Sequence, residues 1–272
     1  MSDESWKVTL DGPLGVNNEF DGEEYDARKE MEGWSTNDFD DAAWYPVELV
    51  NAPEGKLQAQ ENPNIKVMEH IKPLSVHKLG DDKYIVDMGQ NMVGWMTLKV
   101  RGKQGDKVTL RYAELLKEDG HLYLDNLRGA KVTDTYILKG DEEETWEPKF
   151  VFHGFRYVEV SGFPGVPAVD HFEGKVVYDE MKTTGTFETS NTVINRIYQN
   201  ACWGIKGNYR GMPTDCPQRD ERMGWLGDRT TGAYGESYIY DNQKLYAKWL
   251  KDIEDSQLAN GALPDVAPNY WE

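Results

Sequence analysis

Hydrophobic and polar residues alternate with a period of two along several short stretches in the first two thirds of the chain. Four examples are residues 84–88, 96–100, 107–112 and 157–160, and each is bounded by glycine. Such alternation places the apolar side chains on one face of a β-strand, and glycines favour turns between strands. Many short strands joined by turns are typical of an antiparallel sandwich. The pattern therefore predicts a β-sandwich domain over residues 61–185.

The period of the pattern becomes helical near residue 186. Ser190 can cap the first helix, and residues 243–258 form a second helical stretch that Asn260 and Gly261 end. Apolar side chains recur at helical spacing in both, at Val193, Ile194, Ile197, Tyr198, Cys202 and Ile205 in the first and at Leu245, Tyr246, Trp249, Leu250 and Ile253 in the second. Residues 186–272 are therefore predicted to be helical.

The first 60 residues form a third unit in this scheme. Trp34 and Trp44 are predicted to be core anchors of a loop-rich piece, and residues 51–64, rich in Pro, Gln, Glu and Asn, are typical of a linker. The predicted fold class is mostly β with a helical C-terminal part. Its predicted units are residues 1–60, 61–185 and 186–272.

Composition and charge restrict the partners. The formal net charge of −18 repels phosphate backbones and anionic membrane surfaces, so we expect neither nucleic acid nor membrane as a partner. The 9 Trp and 15 Tyr residues suit a neutral ligand such as a sugar, on whose faces aromatic rings can stack. The same acidity is also explained by solubility alone.

The cysteines and the N-terminus indicate where the protein resides. Cys202 and Cys216 have neither the CxxC spacing nor a paired histidine that zinc sites use, and nothing requires a disulfide between them. Residues 1–6 are acidic and lack the apolar run of a signal peptide, and no apolar stretch is long enough to span a membrane. We therefore expect no metal, no cofactor and a cytoplasmic location.

Residues 213–229 concentrate the groups that could do chemistry. Four carboxylates lie among three arginines and a tryptophan, while prolines and glycines exclude a simple helix or strand. Crowded carboxylates raise the pKa of the last one to ionise, which is what the general acid of a glycoside hydrolase requires. The carboxylates are Asp215, Asp220, Glu221 and Asp228. The alternative interpretation is a solvated, charged loop.

The run from Asp215 to Asp228, DCPQRDERMGWLGD, resembles the signature of bacterial α-L-rhamnosidases of glycoside hydrolase family 78. Residues 87–95, 112–114 and 152–157 resemble the β-sandwich domain of that family. Residues 22–28 resemble the end of its N-terminal domain, and residues 263–268 resemble a segment of its barrel. The resemblance thus extends over nearly the whole chain.

The resemblance implies roles for five residues. Glu221 corresponds to the general acid, Asp215 and Arg219 to residues that hold the rhamnose hydroxyls, Trp225 to an aromatic wall, and Asp228 to another carboxylate of the sugar pocket. The expected substrates are rhamnose-containing glycosides, which release terminal α-L-rhamnose with inversion.

The resemblance also implies that part of the active site lies elsewhere. The family places its catalytic base, a glutamate, in the later half of a barrel of six helix pairs, and this sequence reaches only the start of that barrel. We therefore expect the base outside these residues, and exposed helical faces that a homo-oligomer could cover. The alternative is a non-catalytic carbohydrate-binding or scaffold fragment.

Overall fold

The computed structural model describes residues 3–52, 55–140 and 142–270. Strands occupy the chain as far as residue 179, and α-helices follow from residue 192. The strands are β1 (Lys7–Val8), β2 (Leu14–Asn18), β3 (Gly22–Asp26), β4 (Tyr45–Pro46), β5 (Ile65–Ile71), β6 (Ser75–Gly80), β7 (Lys83–Val100), β8 (Lys107–Ala113), β9 (Thr133–Ile137), β10 (Glu144–Trp146), β11 (His153–Ser161) and β12 (Phe172–Asp179). The helices are α1 (Thr192–Gly207), α2 (Leu226–Thr230), α3 (Ala233–Glu236) and α4 (Gln243–Asp255).

Most strands belong to one ten-stranded sheet, whose order is β2-β3-β9-β8-β11-β7-β12-β5, with β6 and β10 also paired to β7. The pairings are antiparallel except that β3 runs parallel to β9. Strands β1 and β4 pair separately. Because β2 and β3 form an edge of the main sheet, part of the predicted first unit packs directly on the sandwich region. The domain boundaries given above stay a prediction.

The two strands predicted at residues 84–88 and 96–100 are parts of one strand, β7, of 18 residues. Its first part pairs with β6 and β11, and its second part pairs with β12 and β10. Gly94 is not a turn, because it pairs with His153 on one side and with Val176 on the other. Gly89 has a φ of 72° and lies where the pairing with β11 is interrupted by a bulge, so it bends the strand without ending it. This exchange of partners curls the sheet around its core.

The core of the sheet is apolar and includes one buried ion-pairing group. Large side chains with almost no exposure, such as Leu98 and Phe155, fill it. His153 is completely buried. Its Nε2 lies 3.1 Å from both carboxylate oxygens of Asp134, and its ring stacks on Tyr112 at 4.3 Å. His153 is therefore a packed residue of the core.

The ends of the long helices differ from the prediction. Asn191, not Ser190, caps α1, because its side-chain oxygen accepts hydrogen bonds from the backbone N–H groups of Val193 and Ile194. Helix α4 ends at Asp255, and Ser256 is its C-cap, so the helix stops before the predicted residue 258. Both helices otherwise lie where the apolar spacing placed them.

Helix α1 rests on the sheet only through its C-terminal half. Ile205 is buried there, whereas Val193 and Ile197 in the first turns are 65% and 62% exposed. In α4, Leu250 is 63% exposed. These open apolar faces agree with the expectation from the sequence, and the self-association inferred from them stays a prediction. Across the described residues, the helices are too short or too polar to cross a membrane.

The prediction that both tryptophans of the first unit are core anchors is wrong for Trp34. Its side chain is 63% exposed. Trp44 is half-buried and packs on Phe39, with ring centroids 5.6 Å apart. Tryptophan is usually well buried, but the first unit is rich in loops and covers only one of the two rings.

Candidate active site

The segment singled out from the sequence follows α1 and is fixed to the end of β12; we call residues 213–225 the carboxylate loop. Asp179, the last residue of β12, donates its backbone N–H to Tyr209 at 3.1 Å and accepts the N–H of Gly211 on its carboxylate at 2.8 Å. The buried Arg210 donates to the carbonyl of Val177 at 2.5 Å. The chain therefore enters the carboxylate loop from a position set by the sheet.

Arg222 anchors the middle of the carboxylate loop. It is 3% exposed and has a φ of 54°, a left-handed conformation that is uncommon for a residue other than glycine. Its Nη1 donates to the carbonyls of Glu19 and Phe152, both at 2.8 Å, and its Nε donates to the carbonyl of Arg219 at 3.1 Å. The guanidinium also lies over the rings of Phe152 and Phe20. One side chain thus ties the loop to two separate parts of the β region.

The end of the carboxylate loop pairs with the segment that follows α4. Trp225 and Val266 form an antiparallel bridge, and Ala267 donates its N–H to the carbonyl of Gly224 at 3.0 Å. A Cβ at Gly224 would lie 2.3 Å from the carbonyl oxygen of Ala267, so only glycine allows this approach. Trp249 of α4 closes the contact by donating its indole N–H to the same carbonyl. The loop is therefore held at both ends.

Three of the five predicted site residues contact one another. Arg219 Nε donates to Glu221 Oε2 at 2.8 Å, and Arg219 Nη2 lies 3.6 Å from Asp215 Oδ2. The carboxylate of Asp215, whose side chain is only 4% exposed, also accepts the N–H of Met223 at 2.8 Å. A second cation, Arg128, donates from Nη1 to Glu221 Oε2 at 2.9 Å. The Glu221 side chain is 16% exposed and so can be reached from solvent.

The carboxylates of the loop are paired with donors rather than with each other. Asp215 and Glu221 share Arg219, whereas Asp220 is exposed and accepts the backbone N–H of Gly129 at 3.0 Å. The crowding of four carboxylates expected from the sequence is therefore not the arrangement in the structure. The positive charge of Arg219 between Asp215 and Glu221 offsets the repulsion between their carboxylates, so the two acidic groups can lie close together.

Asp215, Cys216 and Glu221 are the groups that could approach a metal ion, since one ligand atom from each lies within 4.8 Å of the others. Burial, together with a hydrogen bond to Asp215, raises the pKa of the Cys216 thiol to about 11. A thiol must lose its proton to ligate a metal, and a cation here would also compete with two guanidinium groups. The protonated Cys216 thiol is therefore a poor metal ligand.

The remaining two predicted residues lie at the start of α2. Trp225 is half-buried at the N-cap position of this helix, next to the carboxylate loop. Asp228 is exposed in the first turn, and within the described structure no hydrogen bond or ion pair joins it to Asp215, Arg219 or Glu221. The structure thus brings three of the predicted residues into contact and leaves Asp228 apart from them.

Sequence analysis missed two residues that shape the site. Arg222 lies within the run that resembles the signature, yet its charge gave no sign that it is buried. Arg128 lies 93 residues before Glu221, in a turn of the β region, so spacing along the sequence carries no signal of the contact. Only the three-dimensional fold brings this turn to the carboxylate loop.

Comparison with known families accounts for the chain in three consecutive segments. Residues 1–69 match the α-L-rhamnosidase N-terminal domain, residues 77–178 the bacterial α-L-rhamnosidase concanavalin-like domain, and residues 182–272 the bacterial α-L-rhamnosidase six-hairpin glycosidase domain. The chain belongs to the bacterial α-L-rhamnosidase family. The resemblance found in the carboxylate loop is thereby confirmed.

Individual members of the family agree in sequence and structure. An α-L-rhamnosidase of Streptomyces avermitilis is 43% identical over 97% of this chain, and one of Formosa agariphila is 40% identical over 99%. The solved α-L-rhamnosidase of Dictyoglumus thermophilum has a TM-score of 0.97 at 46% identity, covering 99% of this chain and 31% of that one. The Streptomyces avermitilis enzyme complexed with L-rhamnose has a TM-score of 0.96 at 42% identity, covering 99% and 26%.

These comparisons also fix the extent of the likeness. The chain spans 26% and 29% of the length of the two curated relatives. The fold predicted from the sequence, mostly β with a helical C-terminal part, is confirmed by the model and by its solved relatives.

Proposed function

We propose that this chain supplies the acid half of an α-L-rhamnosidase active site, with Glu221 as the general acid. One observation carries the proposal: the Glu221 carboxyl group is solvent-accessible and lies in one contact cluster with Asp215 and Arg219. Asp215 and Arg219 beside it are suited to hold sugar hydroxyls, with Trp225 as the adjacent aromatic wall. Asp228, in the first turn of α2, is proposed as a further carboxylate of the pocket. The substrates are glycosides with terminal α-L-rhamnose, and the net charge of −18 is compatible with such neutral ligands.

The reaction proposed is hydrolysis with inversion at the anomeric carbon. The protonated carboxyl group of Glu221 gives its proton to the glycosidic oxygen while the bond from that oxygen to the anomeric carbon breaks and its electron pair stays on the oxygen. A water molecule adds to the opposite face of the sugar and loses its proton to a second carboxylate. The products are L-rhamnose and the free alcohol, and the proton taken by the base later restores Glu221.

The second carboxylate is proposed to lie outside these 272 residues. Inverting enzymes keep their two carboxyl groups roughly 6.5–9.5 Å apart so that a water molecule fits between substrate and base. The six-hairpin glycosidase domain is matched by residues 182–272, while the chain spans 26–29% of its curated relatives. We therefore assign the base to a later helix of the same barrel.

The proposal is tested by release of rhamnose from a rhamnose-containing disaccharide, in a form of the protein that carries the complete helical barrel. We expect Glu221→Gln to lower kcat/KM by about 10²–10⁴-fold, the usual contribution of a general acid. Glu118→Gln, at an exposed glutamate of the β region, is the matched control and is expected to retain activity. Retention of most of the activity by Glu221→Gln would refute the assignment.

Two further measurements address the base and the stereochemistry. The 272-residue chain assayed alone is expected to be inactive, and turnover that Glu221→Gln abolishes would place the base within it. Proton NMR of the earliest product should show β-L-rhamnose before mutarotation, whereas initial α-L-rhamnose would exclude inversion. The alternative, a carbohydrate-binding fragment, is correct under two conditions. Glu221→Gln must bind rhamnose normally, and every form of the protein that extends beyond these residues must fail to hydrolyse rhamnosides.

A further inference from the structure

A turn of the β region touches the carboxylate loop at two neighbouring points. Residues Asp125–Leu127 form a 3-10 helix, and Arg128 and Gly129 follow it directly. Arg128 Nη1 donates to Glu221 Oε2 at 2.9 Å, and the backbone N–H of Gly129 donates to Asp220 Oδ2 at 3.0 Å. We call residues 125–129 the clasp turn. Consecutive residues of the clasp turn thus hold consecutive residues of the loop.

The backbone of the clasp turn is shaped for this contact. Arg128 has a φ of 55° and a ψ of −117°, a conformation that costs an L-residue free energy and recurs at functional sites. Leu127, 1% exposed, fixes the turn in the core, and Ala130 donates its N–H to the carbonyl of Leu127 at 3.2 Å. A Cβ at Gly129 would lie 2.7 Å from Asp220 Oδ2, so the clasp turn and the carboxylate loop approach as closely as glycine permits.

The charges around Glu221 give the clasp turn a specific effect. The groups that face its carboxylate are the guanidiniums of Arg128 and Arg219, with the Asp215 carboxylate and the Cys216 thiol within 4.8 Å. Arg128 and Arg219 both donate to the same oxygen, Oε2. A proton on Oε2 would point at two N–H donors, which have no lone pair to accept it. The transferable proton therefore belongs on Oε1.

We infer that Arg128 is a positioning residue for the general acid, contributed by the β region to the site on the helical region. Together with Arg219 it occupies Oε2, so Glu221 carries and delivers its proton from Oε1. This inference rests on the proposed role of Glu221. It gives the β region a part in the chemistry, because the Arg128 side chain is 55% exposed and contributes little to the core.

The inference is tested first in the 272-residue chain by carbon-13 NMR of its glutamate side chains. Glu221→Gln identifies the Glu221 signal by its loss. Arg128→Met and Arg128→Gln each remove one of the two charged donors to Oε2, so at neutral pH both should change the chemical shift of the Glu221 carboxyl carbon. Arg128→Lys should restore most of the wild-type shift, and the exposed control Arg101→Met should leave it unchanged.

The second measurement separates kcat from KM in a form with the complete barrel. Arg128→Met should lower kcat by about 5–20-fold with little change in KM, more on an alkyl than on a p-nitrophenyl rhamnoside, and Arg128→Lys should recover most of kcat. An unchanged Glu221 signal, or an equal loss on both substrates, in both neutral variants would overturn the inference, since a purely structural role predicts no dependence on the leaving group. Activity retained by Glu221→Gln would instead refute the proposed function while the NMR result for Arg128 still stands.

Discussion

The replacement of Arg222 by methionine tests how the carboxylate loop is held. The variant loses three hydrogen bonds from a charged donor to backbone carbonyls, at 2.8, 2.8 and 3.1 Å. Each such bond contributes about 1.5–3 kcal/mol, which gives a gross loss of about 5–9 kcal/mol. Burial lowers the pKa of Arg222 from its usual 12.5 to about 10, so burying this charge costs about 3 kcal/mol, which the variant recovers.

The net expectation for Arg222→Met is a loss of about 2–6 kcal/mol in the free energy of unfolding, with no further loss from packing because methionine keeps apolar contact with Phe20 and Phe152. Urea unfolding followed by tryptophan fluorescence measures this change. Arg101→Met, at a side chain that is 68% exposed, is the control and should change stability by less than about 0.5 kcal/mol. If the two variants unfold at the same urea concentration, Arg222 is not an anchor and the reasoning fails.

Three further predictions concern pH, thiol chemistry and close packing. Burial raises the pKa of Asp179 from 3.8 to about 6, so its contribution to stability is complete below pH 3.8 and is lost as the pH rises through 6. Between pH 4 and 8 the free energy of unfolding of the wild type should therefore fall by about 2 kcal/mol more than that of Asp179→Asn. Urea unfolding at the two pH values measures this difference, and equal losses would contradict it. Because burial raises the pKa of Cys216 to about 11, a disulfide reagent at pH 8 should label the half-buried Cys202 first and Cys216 only after unfolding, and fast labelling of Cys216 would count against its burial. Gly224→Ala should lower the melting temperature by several degrees, since its Cβ would meet a backbone carbonyl at 2.3 Å, whereas Gly227→Ala in open space should not, and equal melting temperatures would show that the loop yields easily.

Local signals in the sequence located the elements but not their limits. Ser190 and Asn191 are both good N-caps, and only the direction of the second side chain toward the first helical N–H groups decides between them. Gly89 and Gly94 resemble turns between strands, yet residues 83–100 form one strand, in which Gly94 is paired on both sides and Gly89 lies at a bulge. Propensity is a weak guide wherever tertiary hydrogen bonds can override it.

The candidate site also contains residues that the sequence indicated and contacts that it did not. Its central residues lie within one short run whose crowded carboxylates drew attention to it, and the resemblance of that run to the family signature then implied roles for Asp215, Arg219 and Glu221. The contacts that hold Glu221 from outside that run could not be predicted, because Arg128 comes from a distant turn. The burial of Arg222 was equally hidden, since a buried arginine and a solvated one have the same appearance in a sequence.

The dependence of hydrolysis on the leaving group tests the role of Glu221 most directly. The p-nitrophenolate group leaves its rhamnoside with little help from an acid, whereas the alkoxide of an alkyl rhamnoside needs a proton on the leaving oxygen. In a form with the complete barrel, Glu221→Gln should therefore lose at least about tenfold more kcat/KM on the alkyl than on the p-nitrophenyl substrate, relative to wild type. An equal loss on both substrates would contradict proton donation by Glu221 and leave it a residue that only binds the sugar.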